Sequence, residues 1–425
     1  MLKQKLKNTK TEKAIIIGVQ LKDAPFQLLD EELDELALLA DTAGAEIIDR
    51  IIQKKTNIDP STFIGKGKML FAINAAKELN CTIIIFNNEL SPGQLKNIQK
   101  LASNELKIID RTGLILDIFE KHARTKESKA QIQLARLKYL LPRLTKQWTH
   151  LERQMGGVGT RGGPGEAQIE VDRRLVRKQI TNLKKELKNI QNQRIIQHKS
   201  RENVYKVSLS GYTNAGKSTI MKSLSKSNVY IQNQLFATLD TTTRRVSAKN
   251  EYDFLLSDTV GFIRNLPHDL IASFRSTLLE IEESDLIIKV IDASSKNITI
   301  HLSTIKDVFK TLNIKSNLEL IVFNKIDLLA INDLKKIKKL YPKGVFISAS
   351  KEIKINELLQ AIYNKLRLLN KKATVKIPYN KLSLVNYIYS NCKVINRVDN
   401  YNNIILKIEG SIQSIDKIKM KVKQS

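Results

Sequence analysis

The sequence predicts an α/β protein in four parts: an N-terminal α/β domain, a long helical hairpin, an α/β domain opening on a phosphate-binding loop, and a small C-terminal α+β domain. Three observations carry this. Short β-rich runs alternate with helical stretches over residues 14–112 and again over 203–369, the pattern of helix-covered parallel sheets. Two charged, apolar-periodic stretches within 113–200 flank a run of glycines. GYTNAGKS at 211–218 follows a β-rich run and precedes an apolar-periodic helix, the setting a phosphate-binding loop requires.

At 425 residues the chain is too long for one core and suits several domains. In the first, 14–112, AIIIGVQL, CTIIIF and LKIID read as strands and LLDEELDELALLADTAGA as a helix. Over 113–200, KESKAQIQLARLKYLLPRLTKQWTHLERQ and EAQIEVDRRLVRKQITNLKKELKNIQNQR repeat apolar residues at three-and-four spacing, which predicts an antiparallel helical hairpin. Between them, 156–165 holds six glycines with Arg161 in the middle, and no helix persists through such a run. The third domain, 203–369, runs from the strand NVYKVSLSG to the helix NELLQAIYNKLRLL, and 371–425 reads strand, helix, strand, strand, helix.

Charge separates the partner classes. Lys and Arg number 71 against 43 Asp and Glu, a net +28, which favours a polyanion such as RNA, DNA or an acidic membrane surface. No run of 18 apolar residues occurs, which argues against an integral membrane segment. The basic start MLKQKLKNTKTEK lacks the apolar stretch of a secretory leader, so a cytoplasmic location is expected. Cys81, Cys392 and the five histidines stand in no metal-ligand spacing.

The loop residues Gly211, Tyr212, Thr213, Asn214, Ala215, Gly216, Lys217 and Ser218, with Thr219 behind them, are expected to wrap a nucleotide's phosphates in inward-pointing N–H groups. The positive end of the following helix adds to the attraction. Lys217 supplies a point charge near the β- and γ-phosphates, and Ser218 a hydroxyl for Mg²⁺. Such a loop does not choose the base. NKID at 324–327 does: Asp327 can accept from the N1 and N2 donors of guanine, a pair that adenine lacks, so GTP and GDP are the expected nucleotides. Asn324, Lys325 and Ile326 tie the base loop to the phosphate loop, and Ser348 and Ala349 in ISAS suit backbone contact with the base.

Asp258 closes the run YDFLLSD and is expected to hold Mg²⁺ through water, followed by Thr259, Val260 and Gly261. The Gly261 N–H is placed to sense the γ-phosphate. Phe236, Ala237, Thr238, Leu239 and Asp240 form the other candidate sensor, with Thr238 as the metal-binding threonine and Thr242 as the competing position. Hydrolysis by in-line attack of water then rests on Lys217, Gly261 and Asn214. Asn214 has two readings: its side-chain oxygen helps hold a K⁺ ion, or it caps loop backbone. Many GTPases orient the water with a glutamine after the DTxG glycine; Phe262 stands there, so slow intrinsic hydrolysis and a completing partner are expected.

STFIGKGK at 61–68, GGVGTRGGPGEAQIEVDRR at 156–174, GYTNAGKS, LFATLD, DTVGFIRNLP at 258–267 and NKID together resemble the HflX family over nearly the whole chain. The resemblance implies a P-loop GTPase domain, with Mg²⁺ as cofactor, that associates with the large ribosomal subunit; a monomer is expected. It further implies stimulation by ribosomes and a role in ribosome splitting, in rescue of stalled ribosomes or in ribosome biogenesis. It places Gly156, Gly157, Gly159, Arg161, Gly162, Gly163 and Gly165 at ribosomal RNA. Three departures stand out: Thr241 replaces a usual proline, Ala167 a usual threonine, and RGGPGE is one glycine longer than the family's RGPGE. Two other classes remain open. An RNA-remodelling ATPase or GTPase acting on ribosomal RNA would work through Gly65, Lys66, Gly67 and Lys68 of the N-terminal domain. A non-catalytic switch would bind GTP with hydrolysis incidental.

Overall fold

A computed structural model of the chain describes residues 12–22, 26–102, 106–144, 166–198, 204–225, 236, 239–247, 253–264, 280–295, 297–311, 314 and 318–423. They fall into two compact units.

In the first unit, β1 (Glu12–Leu21), β2 (Ala45–Lys55), β3 (Ile83–Phe86) and β4 (Lys107–Asp110) form an all-parallel sheet in the order β2-β1-β3-β4. Its helices are α1 (Phe26–Ala43), α2 (Lys66–Glu78), α3 (Pro92–Leu101) and α4 (Arg111–His122). The runs AIII and IIIF are buried throughout, as a sheet covered on both faces demands. The sequence pattern misses β2. In AEIIDRIIQKK the isoleucines pair at a spacing that imitates a helix, and only Ala45 and Ile51 of this edge strand are buried.

Helix α5 (Lys126–Leu140) and Leu144 after it pack on the long helix α6 (Glu166–His198), joining Ala130, Leu134, Leu137 and Leu144 with Val176 and Leu183 in one cluster. The first helix is shorter than the periodicity predicts. It ends at Leu140 in a 3₁₀ turn, Leu141–Arg143, because Pro142 has no N–H to continue the ladder and restricts the residue before it. The glycine-rich loop lies outside the described residues.

A buried polar cluster ties α4 and α5 to the sheet. Asp110 caps α4, accepting from Gly113 N at 2.8 Å, Leu90 N at 3.1 Å and Tyr139 Oη at 2.7 Å, with Arg143 Nη2 at 3.6 Å. Burial raises its pKa, against the pull of these donors. Asp110→Ala strands the buried Leu90 N–H and the Tyr139 hydroxyl and removes one of the two carboxylates beside buried Arg143, the other being Glu89 at 3.1 Å. It is expected to cost about 3 kcal/mol in urea unfolding, whereas exposed Asp34→Ala is expected to cost under ~1 kcal/mol.

The second unit contains a six-stranded sheet in the order β10-β9-β8-β5-β7-β6, parallel except for β6. Its strands are β5 (Tyr205–Gly211), β6 (Thr242–Val246), β7 (Phe254–Asp258), β8 (Leu286–Asp292), β9 (Glu319–Asn324) and β10 (Val345–Phe346). The described helices are α7 (Lys217–Ser225), α8 (Ile298–Thr311), α9 (Ile331–Leu340) and α10 (Ile355–Arg367). Then β11 (Asn370–Pro378), α11 (Ser383–Asn391), β12 (Lys393–Asp399), β13 (Asn403–Ser411) and α12 (Ile412–Lys423) build an antiparallel sheet in the order β11-β13-β12. Helices α11 and α12 contribute Val385, Ile388, Ile415 and Ile418 to the core under it. Among the described residues, no helix is long and apolar enough to cross a membrane.

Candidate functional site

Strand β5 sits between β8 and β7, with the chain crossing to opposite sides of it. In such sheets ligands bind beyond the carboxyl ends of the strands at this switch point. Three strand ends meet there: β5 releases the loop 211–216, β7 ends on Asp258 and β9 on Asn324.

The loop is held by its neighbour. Thr213 N donates to Phe262 O at 2.8 Å and Phe262 N to Gly211 O at 3.0 Å. Tyr212 stacks on His301, ring centroids 4.1 Å apart. Asn214 is exposed with φ 60°, a left-handed conformation that asparagine tolerates better than most residues. Gly216 has φ 92°, and a Cβ there would stand 2.1 Å from Asn324 Nδ2. A Cβ on Gly261 would meet Thr213 Cγ2 at 2.7 Å and Lys217 Nζ at 2.9 Å. The two loops therefore pass closely only because these positions are glycine.

Lys217 begins α7 and is 6% exposed. Its Nζ donates to Gly211 O at 3.0 Å and Tyr212 O at 2.8 Å. An ammonium has three donors, so two orient the group and the third remains for an anion. Burial pulls its pKa down to about 8, with Asp258 opposing. The sign follows: nucleotide-free protein loses this proton as pH rises through 8, and a bound phosphate favours the charged form. Nucleotide affinity is therefore expected to fall by up to about tenfold per pH unit above 8. Titration of a fluorescent nucleotide from pH 7 to 9.5 checks this; a flat profile would contradict it.

Ser218 Oγ donates to Asp258 Oδ2 at 2.6 Å, and Asp258 is 1% exposed. A hydroxyl and a carboxylate converging beside the phosphate loop are the hard oxygen donors that suit Mg²⁺. Buried Thr259 donates from Oγ1 to Leu209 O at 2.7 Å, locking the strand end that carries Asp258. Val260 is buried. Thr242 opens β6 and pairs in register with Asp258, whereas Thr238 and Ala237 lie outside the described residues.

Asn324 joins the loops as its spacing predicts. Its Nδ2 donates to Ala215 O at 2.9 Å, and its Oδ1 accepts from Ala349 N at 2.9 Å. Ser223 Oγ also donates to Ala349 O at 3.1 Å. Lys325 has φ 64° and pairs with Asp292 at 2.7 Å, which turns the chain into the 3₁₀ segment Ile326–Leu328. Ile326 and Ser348 are buried, while Asp327 is exposed. Asp292 stands in none of the motifs, although LIIKVID ends on an aspartate as YDFLLSD does.

One predicted site residue, Phe236, is placed elsewhere, and the ring of Phe262 serves packing. Phe236, assigned to the nucleotide set, is buried edge-on against Phe119 of α4, centroids 4.6 Å apart, and counts with the first unit; Leu239 is buried too and Asp240 half-buried. The Phe262 ring packs on Phe309 at 6.3 Å in the core. Nothing in the sequence pattern singles out Arg264, which likewise counts with the first unit. Its Nη2 donates to Glu31 Oε2 at 2.9 Å, while its carbonyl accepts from Arg111 Nη2 at 3.2 Å. Arg111 pairs with Glu35 at 2.6 Å, and burial raises the Glu35 pKa against the pull of that arginine. Gly65, in IGKGK, has φ 84° and turns the chain into α2. The seven RNA-contact candidates of the glycine loop lie outside the described residues.

Residues 30–120 match the family profile "GTP-binding GTPase N-terminal", 122–201 "GTP-binding GTPase Middle Region", and 206–325 "50S ribosome-binding GTPase". A GTPase HflX of Flavobacterium psychrophilum is 41% identical over 398 residues, covering 88% of this chain and 95% of that protein. One from Caldanaerobacter subterraneus is 38% identical over 392 residues, covering 92% and 90%. That of Escherichia coli is 40% identical over 352 residues, covering 82% of each. Among solved structures, the complex of SsGBP with GDP aligns at 26% identity and a TM-score of 0.48, covering 83% of this chain and 98% of that one. On this extent of identity, carried by a chain with a P-loop GTPase domain, the protein is a GTP hydrolase and belongs to the HflX family of GTPases.

Proposed function

We propose that this GTPase is Mg²⁺-dependent, binds the large ribosomal subunit and its RNA in the GTP form, and leaves on hydrolysis. In this reading it acts in splitting or rescue of stalled ribosomes, or in ribosome biogenesis. The observation that carries the need for a partner is Phe262: the position after Gly261 holds a phenyl ring that is buried in the core, where it can neither donate to nor accept from water. The match of 206–325 to a 50S ribosome-binding GTPase names the partner class.

In this reading the site residues divide the work. Ser218 and, through water, Asp258, with Thr238 or Thr242, would hold Mg²⁺, which would neutralise charge developing on the phosphates. Lys217 directs its third proton at the β- and γ-phosphates, and Gly261 N–H meets the γ-phosphate. Asp327 selects guanine while Asn324 keeps the base loop in register with the phosphate loop. Gly156, Gly157, Gly159, Arg161, Gly162, Gly163 and Gly165 approach ribosomal RNA, where small residues admit the backbone closely and Arg161 pairs with a phosphate or stacks on a base.

Steady-state GTP hydrolysis with and without large subunits, in K⁺ and in Na⁺ buffer, tests this. Stimulation of at least about tenfold, corresponding to ~1.4 kcal/mol off the barrier, is expected; an unchanged rate would overturn the ribosomal reading. Faster turnover in K⁺ assigns Asn214 to an ion, and equal rates assign it to loop conformation.

A further inference from the structure

The three-stranded sheet at the C-terminal end has one covered face and one open face. Strand registry sorts the side chains. Val375, Ile377, Ile404, Leu406 and Ile408 point toward α11 and α12 and are buried. The alternate positions form the other face: Lys372 opposes Glu409, Thr374 opposes Lys407, and Lys376 opposes Ile405 on the β11 side. On the β12 side Lys393, Asn396 and Val398 oppose the same three residues of β13. Lys372, Lys376, Lys393 and Lys407 are all exposed, and among these opposed positions Glu409 is the one acid.

We propose that this open sheet face is an RNA-binding surface that grips the phosphate backbone. Residues 370–425 hold eleven Lys and Arg against three Asp and Glu, whereas the whole chain holds 71 against 43. The excess is therefore concentrated in this small domain, and four of its cations share one face. Lys372 and Lys376 lie about 13 Å apart along β11, and Lys407 on the next strand is about 8 Å from each. Flexible ammonium groups on such a triangle can follow one strand of phosphates, and each contact releases counterions. None of the opposed positions is aromatic, so the face offers no stacking platform for bases. Phosphate contact without sequence readout is what it can supply. The apolar residues on it, Ile405 and Val398, are too few to insert into a lipid surface.

This extends the ribosomal reading to a second surface, but naked RNA tests it without ribosomes, so each reading fails independently. The probe is a labelled 20-base-pair RNA duplex titrated with full-length protein over a salt series. The triple variant Lys372→Gln/Lys376→Gln/Lys407→Gln is expected to bind at least about tenfold more weakly, with the log–log salt slope reduced by about 2 to 3. The matched control Lys335→Gln/Lys339→Gln/Lys343→Gln on and after α9 should lose under about threefold. Arginine at the three face positions should retain binding, which separates charge from folding. Equal losses in face and control variants would overturn the proposal. So would displacement of the duplex by polyglutamate or by anionic vesicles at equivalent charge, since either would make the partner an acidic protein or a membrane.

Discussion

Lys217→Ala is expected to lower GTP turnover by about 10²- to 10³-fold, the loss that follows removal of one preorganised electrostatic donor to a reacting group. The fold should survive. The ammonium is buried with its pKa drawn down to about 8 by loss of hydration, so its removal relieves a desolvation cost that offsets the loss of its hydrogen bonds to Gly211 O and Tyr212 O and of the attraction of Asp258. The nucleotide-free variant should therefore melt near the wild-type temperature while its single-turnover hydrolysis collapses. A variant that loses activity only by unfolding would show both quantities falling together. That outcome would assign Lys217 a structural role.

Asp327→Ala is expected to remove most of the preference for GTP over ATP, a change of about 10⁴-fold in relative kcat/KM, because hydrogen-bonding sites reject analogues that leave their polar groups unpaired. The 3₁₀ turn around it is fixed by Lys325 and Asp292 rather than by Asp327, so the phosphate loop should remain intact. Turnover of GTP and ATP at low substrate, compared in wild type and variant, reads this directly. Retained selectivity would show that another group reads the base.

Much of the site was legible in the sequence because its chemistry fixes both residue type and order. GYTNAGKS, DTVG and NKID end three strands of one sheet, and Asn324 ties the base loop to the phosphate loop by donating to Ala215 O; its bond with Ala349 N carries no signal in the sequence. The parallel N-terminal sheet and the C-terminal strand–helix–strand–strand–helix order were legible for the same reason: their apolar periods match their burial. What escaped were features set by tertiary context. Strand β2 is an edge strand whose paired isoleucines mimic a helix. Helix α5 stops before Pro142 although the apolar spacing runs on. Phe236 stands in a motif that suggested nucleotide contact, yet a large apolar ring gains more by burial against Phe119. Arg264 gives no periodic signal, since a buried arginine is explained only by the partners that long-range folding delivers, here Glu31 and the Arg111–Glu35 pair.

The site as a whole depends on a guanine-reading carboxylate held in register with a phosphate-gripping lysine. Equilibrium displacement of a fluorescent guanine nucleotide by unlabelled GDP and ADP measures that dependence most directly. ADP is expected to displace the label only at concentrations at least about 10³-fold above those of GDP. Displacement by both at similar concentrations would contradict it.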